Sequence, residues 1–298
     1  MILFCFSHTS FAKEEVKSYP LCNEIVIVGK IKPALNDNER MLVCGDSNTS
    51  DAVGDSWQHV PRSQSEFHLK VFLQIRGYFN PVLKRTGKEK GLIVELGKPT
   101  VVSSISSEGV PKELDLNRKR RIVGEILTPA LLNEFEKWVK VRLQSYGYAC
   151  PVVESAANPD TGEIFVLVDA GLKQKIIAIE DETIGGIKPD SLNRFNAFHV
   201  GDYFNGDNLE ITARRVKTSG VLQGINFNHS CTSDGVVVNR IGIEGPPRLL
   251  KVGVGANTEG ILLLKGSWRN TRIGESASMS DISTFLSTKE QSLSASMD

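Results

Sequence analysis

No apolar run in the chain approaches the ~18 residues that carry a helix across a bilayer, so any membrane-spanning form would have to use strands. A basic excess is missing as well. The 35 Lys and Arg are balanced by 35 Asp and Glu, which argues against a nucleic-acid partner, since such binders carry surplus positive charge. One basic run, Arg118-Lys119-Arg120-Arg121, reads as a solvated surface. Cysteine is scarce, five in 298 residues, and none stands in a C-x-x-C pair, which leaves zinc and thioredoxin-type sites without support. Catalytic signatures are absent too. There is no H-E-x-x-H, and neither Gly45-Asp46-Ser47-Asn48-Thr49 nor Gly54-Asp55-Ser56-Trp57-Gln58 completes a G-x-S-x-G elbow. Gly253-Val254-Gly255 lacks the third glycine of a dinucleotide loop, because position 258 is Thr. No catalytic residue, cofactor site or metal site is therefore expected. What is present, 40% apolar and 23% charged residues, is ordinary for folded protein and long enough for two or three small domains.

The first fifteen residues, MILFCFSHTSFAKEE, put a short apolar core before Ser10-Phe11-Ala12 and suggest a partial signal peptide over 1–12. Cys5 lacks the small residues that precede a lipid-modified cysteine. Export would make disulfides available to Cys22, Cys44, Cys150 and Cys231. Cys22 and Cys44 flank one strand and helix and are the expected bond. Cys150 with Cys231 is the weaker second pairing, and buried free thiols are the alternative.

A repeat organises the middle of the chain. Gly97, Gly171 and Gly245 follow one another at 74-residue steps, and each leads into a strand-like run. Within each copy a second glycine, Gly77, Gly147 or Gly220, follows a helical stretch as the expected left-handed stop. The helices before them are amphipathic. Leu131, Phe135, Trp138, Val139 and Leu143 form one stripe behind Thr128 as N-cap, and Leu209, Ala213 and Val216 form another behind Asn205. Phe67, Val71, Phe72 and Ile75 form the stripe in the first copy. After each glycine come two strands around a polar turn, Asn158-Pro159-Asp160-Thr161-Gly162 in the second copy and Thr232-Ser233-Asp234-Gly235 in the third. Each unit reads strand, short helix, long helix, strand, strand. The first begins at Glu24-Ile25-Val26-Ile27-Val28 and carries an insert from Gly45 to Pro61. Such a unit leaves a sheet edge open to strand addition.

The C-terminal fifty residues differ. Leu250, Val252, Val254 and Ala256 alternate with Lys251, Gly253 and Gly255, then Leu262, Leu264, Gly266 and Trp268 with Lys265, Ser267 and Arg269. This period-2 pattern is that of strands with unlike surroundings on their two sides. Ala277 to Leu286, with a suspected bulge at Asp281, and Gln291 to Met297 are the third and fourth strand candidates.

Three β-α-α-β-β units followed by barrel-like hairpins resemble the polypeptide-transport-associated (POTRA) domains of outer-membrane assembly insertases. The resemblance is carried by Val200-Gly201-Asp202-Tyr203-Phe204 with Ser219-Gly220-Val221, by Val123-Gly124-Glu125-Ile126-Leu127-Thr128, and by Gly253-Val254-Gly255 through Gly266-Ser267-Trp268-Arg269-Asn270. It implies an α+β protein with three tandem domains over 13–98, 99–171 and 172–246. The first strands of an outer-membrane barrel would follow over 247–298. Three domains suit the translocation and assembly module outer-membrane component (TamA-like). The implied location is the outer membrane, with the repeats in the periplasm. Implied partners are outer-membrane client proteins, an inner-membrane-anchored translocation partner (TamB-like) and outer-membrane lipid. The region after Leu249 has room for four strands against the eight or so of the smallest closed barrel, and so looks truncated. By this resemblance Lys251, Val252, Gly253, Val254, Gly255 and Ala256 are the first barrel strand, whose glycines keep a seam loosely paired. Two alternatives are a two-partner-secretion transporter and a soluble periplasmic scaffold. A third, least favoured, starts from Met41 to Asn48, which resembles the nucleophile turn of GDS-type esterases with Ser47 as nucleophile. No Asp-x-x-His supplies its base.

Overall fold

The computed structural model of the chain describes residues 16–22, 25–45, 60–87, 91–116, 121–182, 186–256 and 262–297. The expected signal peptide, most of the insert with Ser47, and the basic run apart from Arg121 lie outside these residues. Among the described residues the fold is α+β, with strands in four sheets. The chain divides into two compact units, and segments of the second repeat alternate between them, Asp115–Lys137 and Glu154–Leu167 going with the first unit and Gly109–Leu114 and Trp138–Val153 with the second.

The first unit holds the first repeat and part of the second. Strand β1 (Lys17–Cys22) and β2 (Ile25–Gly29) precede helices α1 (Asp37–Cys44) and α2 (Arg62–Ile75), and strands β3 (Val82–Arg85) and β4 (Leu92–Glu95) follow. The sheet order is β1-β2-β4-β3, with β2 parallel to β4. Alternating β2 residues Ile25 and Ile27 meet Leu92 and Val94 of β4, and Val43, Leu69 and Leu73 from the helices close the core. A box cap starts α1: Glu39 N–H donates to Asn36 Oδ1, while Asn36 N–H donates to the Glu39 carboxylate.

Two expectations change here. Strand β1 was not anticipated, because Lys17 to Cys22 contains Pro20 and shows no apolar alternation. It is an edge strand, irregular between Pro20 and Cys22, where a residue without an N–H is tolerated. The apolar stripe of α2 is also differently phased. Its buried row is Ser65, Leu69 and Leu73, whereas Phe67 is 65% exposed and Ile75 is 46% exposed. Apolar residues surround α2, and the Ser65 hydroxyl donating to Val43 O turns the Ser65 row inward.

In the second repeat, β5 (Ser104–Glu108), α3 (Pro129–Ser145), β6 (Val152–Ala157) and β7 (Glu163–Asp169) give the order β5-β7-β6, with β5 parallel to β7. Thr128 caps α3 by accepting from Leu131 N–H, and Leu131, Phe135, Val139 and Leu143 are buried as expected. Its first strand begins four residues later than the run at Thr100, because Thr100 and Val102 exchange backbone hydrogen bonds with Gly124, Glu125 and Leu127.

The second unit contains the third repeat: β8 (Ile176–Glu182), α4 (Pro189–Asn193), α5 (Gly206–Ser219), β9 (Gly224–Cys231) and β10 (Val236–Ile243). Its order is β8-β10-β9, β8 parallel to β10. Asn205 Oδ1 accepts from Asp207 N–H to cap α5, and Leu209 and Val216 are buried. Four antiparallel strands follow in sequence order, β11 (Arg248–Ala256), β12 (Leu262–Ile273), β13 (Ser278–Ser287) and β14 (Gln291–Met297). No described helix is long and apolar enough to cross a membrane.

Arg76 Nη2 reaches Glu39 Oε2 at 2.6 Å. That hydrogen bond holds the Glu39 carboxyl below the ordinary 4.5, burial opposing it and the Asn36 N–H adding to it. A depressed carboxyl stabilises the fold fully above 4.5 and loses that contribution as pH falls through the folded value. Arg76→Ala should therefore cost about 1 kcal/mol near neutral pH, and the penalty should shrink below pH 4.5. Urea unfolding of both proteins across that range checks this. A penalty independent of pH would show that the ion pair contributes nothing.

Candidate functional site

The candidate site is built from the four-stranded sheet and the turns that meet it. Pairing places Leu250, Trp268, Ile282 and Ala295 in one row across the strands, and Val252, Gly266, Thr284 and Leu293 in the next. Val254, Leu264 and Leu286 form a third row, and Ala256 faces Leu262. Val254 is 85% exposed, Leu293 76% and Leu262 73%. A soluble protein rarely leaves so continuous an apolar face uncovered. The reverse face is mostly polar, with Leu249, Leu263 and Phe285 as its apolar members. Lys251, Ser267, Ser283 and Ser294 form one row, and Leu249, Arg269, Asp281 and Ser296 another. Asp281 stands in regular register opposite Arg269, and the two side chains bond at 2.6 Å. The suspected bulge at Asp281 is therefore absent. The irregularity lies in β12 between Asn270 and Ile273. Lys265 lies over the Phe285 ring on this polar face. A Cβ added at Gly253 or Gly255 would meet nothing within 4 Å.

The three helix-end glycines are left-handed, with φ of 86° at Gly77, 99° at Gly147 and 76° at Gly220. They share a second property that the sequence did not reveal. A Cβ on Gly77 would stand 2.4 Å from Ile126 Cγ2, one on Gly147 3.3 Å from Phe204 O, and one on Gly220 3.2 Å from Thr271 Cγ2. Each turn abuts the module that follows it.

The second of these contacts is the most heavily bonded. Cys150 and Cys231 form a disulfide. Ala149 O lies 2.7 Å from His229 Nε2 and accepts from Gln144 Nε2 at 3.2 Å. Ser145 Oγ donates to Asp207 Oδ1 at 2.6 Å, and Lys173 lies over the Tyr148 ring while pairing with Glu113. The Glu113 carboxyl is held low by its own backbone N–H first and by Lys173 second. Cys44 is disulfide-bonded as well. The side chain of Cys22, its expected partner, lies outside the described residues.

No family model and no curated protein matches the chain. Among solved structures it is similar to BamA from Haemophilus ducreyi lacking POTRA domains 1–3, at 18% identity and TM-score 0.48, over 66% of this chain and 39% of that one. It is also similar to POTRA domains 3–5 of Haemophilus influenzae BamA, at 14% identity and TM-score 0.46, over 79% of this chain and 100% of that one. A third similarity is to CdiB from Escherichia coli, at 15% identity and TM-score 0.33, over 75% and 42% of the respective chains. The chain thus spans about two fifths of the length of the H. ducreyi structure.

Gly77→Ala forces a left-handed alanine against Ile126 and Leu127 O, and should cost at least about 2 kcal/mol. Gly253→Ala meets no atom and should change stability by less than about 0.5 kcal/mol. Thermal unfolding in detergent ranks the two, and equal effects would contradict the docking role of Gly77.

Proposed function

We propose that this chain is the periplasmic arm and first membrane strands of an outer-membrane protein-assembly or secretion factor of the POTRA type, and that it acts by binding rather than catalysis. One observation carries the reading: tandem β-α-α-β-β modules lead into a sheet whose apolar face is exposed and whose reverse face is mostly polar. Lipid on the first face and water on the second satisfy both. The repeats would receive unfolded client proteins. Their number favours the translocation-and-assembly branch, in which an inner-membrane-anchored partner engages the arm. Within the sheet, β11 would be the strand that pairs with client strands, since Gly253 and Gly255 place no side chains on its polar face.

Flotation with phosphatidylcholine vesicles tests the membrane assignment. The full chain should float, and Val254→Arg with Leu293→Arg, each costing up to about 3 kcal/mol on a lipid-facing surface, should leave it in the soluble fraction. A wild-type chain that stays soluble without detergent or lipid would overturn the reading. Cysteines placed singly at 251–256 should crosslink to an unfolded outer-membrane client added in trans. Labelling of Ser47 by a serine-hydrolase probe would instead favour an enzyme.

A further inference from the structure

The third repeat does not simply precede the membrane sheet; its core receives part of it. Ala277, in the turn between β12 and β13, is fully buried and belongs to the cluster of Ile187, Leu192, Val216, Val221, Leu222 and Ile225. The same turn is gripped through its backbone. Lys188 N–H donates to Glu275 O at 3.0 Å, Ser191 Oγ to Glu275 O at 3.3 Å, and Arg194 Nη2 to Ala277 O at 2.7 Å. Ala277 holds a left-handed φ of 52°, a conformation that costs a non-glycine residue about 1 kcal/mol or more and persists only when its surroundings impose it.

All of these grips come from α4 or its flanks, and α4 cannot hold itself in place. It has five residues and no side-chain cap, far below the length at which an isolated helix is stable. Besides Leu192, which is buried in the same cluster, what holds it is Arg240 of β10, whose side chain is 2% exposed. Its fork takes Asp181 of β8 through Nε at 2.6 Å and Nη2 at 2.7 Å. The remaining donors reach Asn193 Oδ1 at 3.0 Å, Asn196 Oδ1 at 3.2 Å and Pro189 O at 3.4 Å. One guanidinium thus ties the parallel strand pair to both ends of α4. Only a planar group with five donors can do so, since a lysine ammonium has three donors and no fork.

We infer that the Gly274–Ala277 turn is a latch that couples the third repeat to β12 and β13, and that Arg240 is its positioning residue. Arg240 acts through α4 without touching the turn. The repeat and the first hairpins then move as one body, so a force on the arm reaches the sheet through β12 and β13.

Hydrogen exchange on the full chain in detergent micelles, read by peptide mass spectrometry, tests this. Arg194→Ala should speed exchange of segment 271–279 roughly tenfold or more and leave 186–196 as in the wild type. Arg240→Lys should speed both segments, with 224–243 changed less than about twofold. If Arg240→Lys does not fold, Asn193→Ala with Asn196→Ala removes two acceptors and keeps the Arg240–Asp181 pair. It should open the same two segments. The inference is overturned if 186–196 opens while 271–279 stays protected, if both stay protected, or if 224–243 opens to the same extent as the latch.

Discussion

At three places a left-handed glycine closes a long helix and presses against the next module: Gly77 on Ile126, Gly147 on Phe204 and Gly220 on Thr271. This contact is the constraint on which the rest of the architecture depends. The last helix carbonyls are satisfied within the turn itself, Gly77 N–H donating to Gln74 O, Gly147 N–H to Gln144 O and Gly220 N–H to Lys217 O, and the following module covers that turn. In the second unit, Ala149 O behind Gly147 accepts from Gln144 and contacts His229, and the Cys150–Cys231 bond closes the same spot. A cross-link over 81 residues restrains the unfolded chain and adds stability of a few kcal/mol. The third turn meets β12, not another repeat.

The sheet presents the opposite energetic problem. Its apolar rows have no covering layer of protein among the described residues, and hydrophobic burial is roughly proportional to area removed from water. On the reading proposed above, a bilayer would supply that burial without a second layer of protein. The polar face needs no such cover. Arg269 and Asp281 pair there at partial exposure and contribute little to stability. Strand alternation thus gives one short stretch two unlike faces.

The buried pair of Arg240 and Asp181 differs in kind. Removing either partner would leave an uncompensated charge in a closed core, typically worth several kcal/mol, whereas an apolar replacement of both can be nearly neutral. The pair is therefore better understood through geometry than through stability. It sets where α4 lies, and α4 sets where the β12–β13 turn lies.

Features that depend on neighbours in the chain were legible before the structure. The 74-residue spacing, the αL glycines, the caps at Thr128 and Asn205, the stripes of α3 and α5 and the two-faced strands after Arg248 all arise from periodicity or local hydrogen bonding. The stripe of α2 was misphased because apolar residues surround that helix, and the face that is buried, with Leu69 and Leu73 in the core and Ser65 bonded to Val43 O, is selected by its packing partners. Strand β1 was missed because an edge strand needs no alternation. Asp281 read as an interruption because its partner, Arg269, lies on another strand. The latch had no sequence signal at all: Ala277 is a small residue in a turn, and a separation of 59 positions between Asp181 and Arg240 conceals their pairing. The sequence by itself determined the repeat, its helix stops and the two faces of the sheet, since each is a matter of local period and backbone preference. Only the tertiary structure decided which cysteine meets Cys150, which face of α2 is buried and what the third glycine turn docks against, because those depend on which distant surfaces come together.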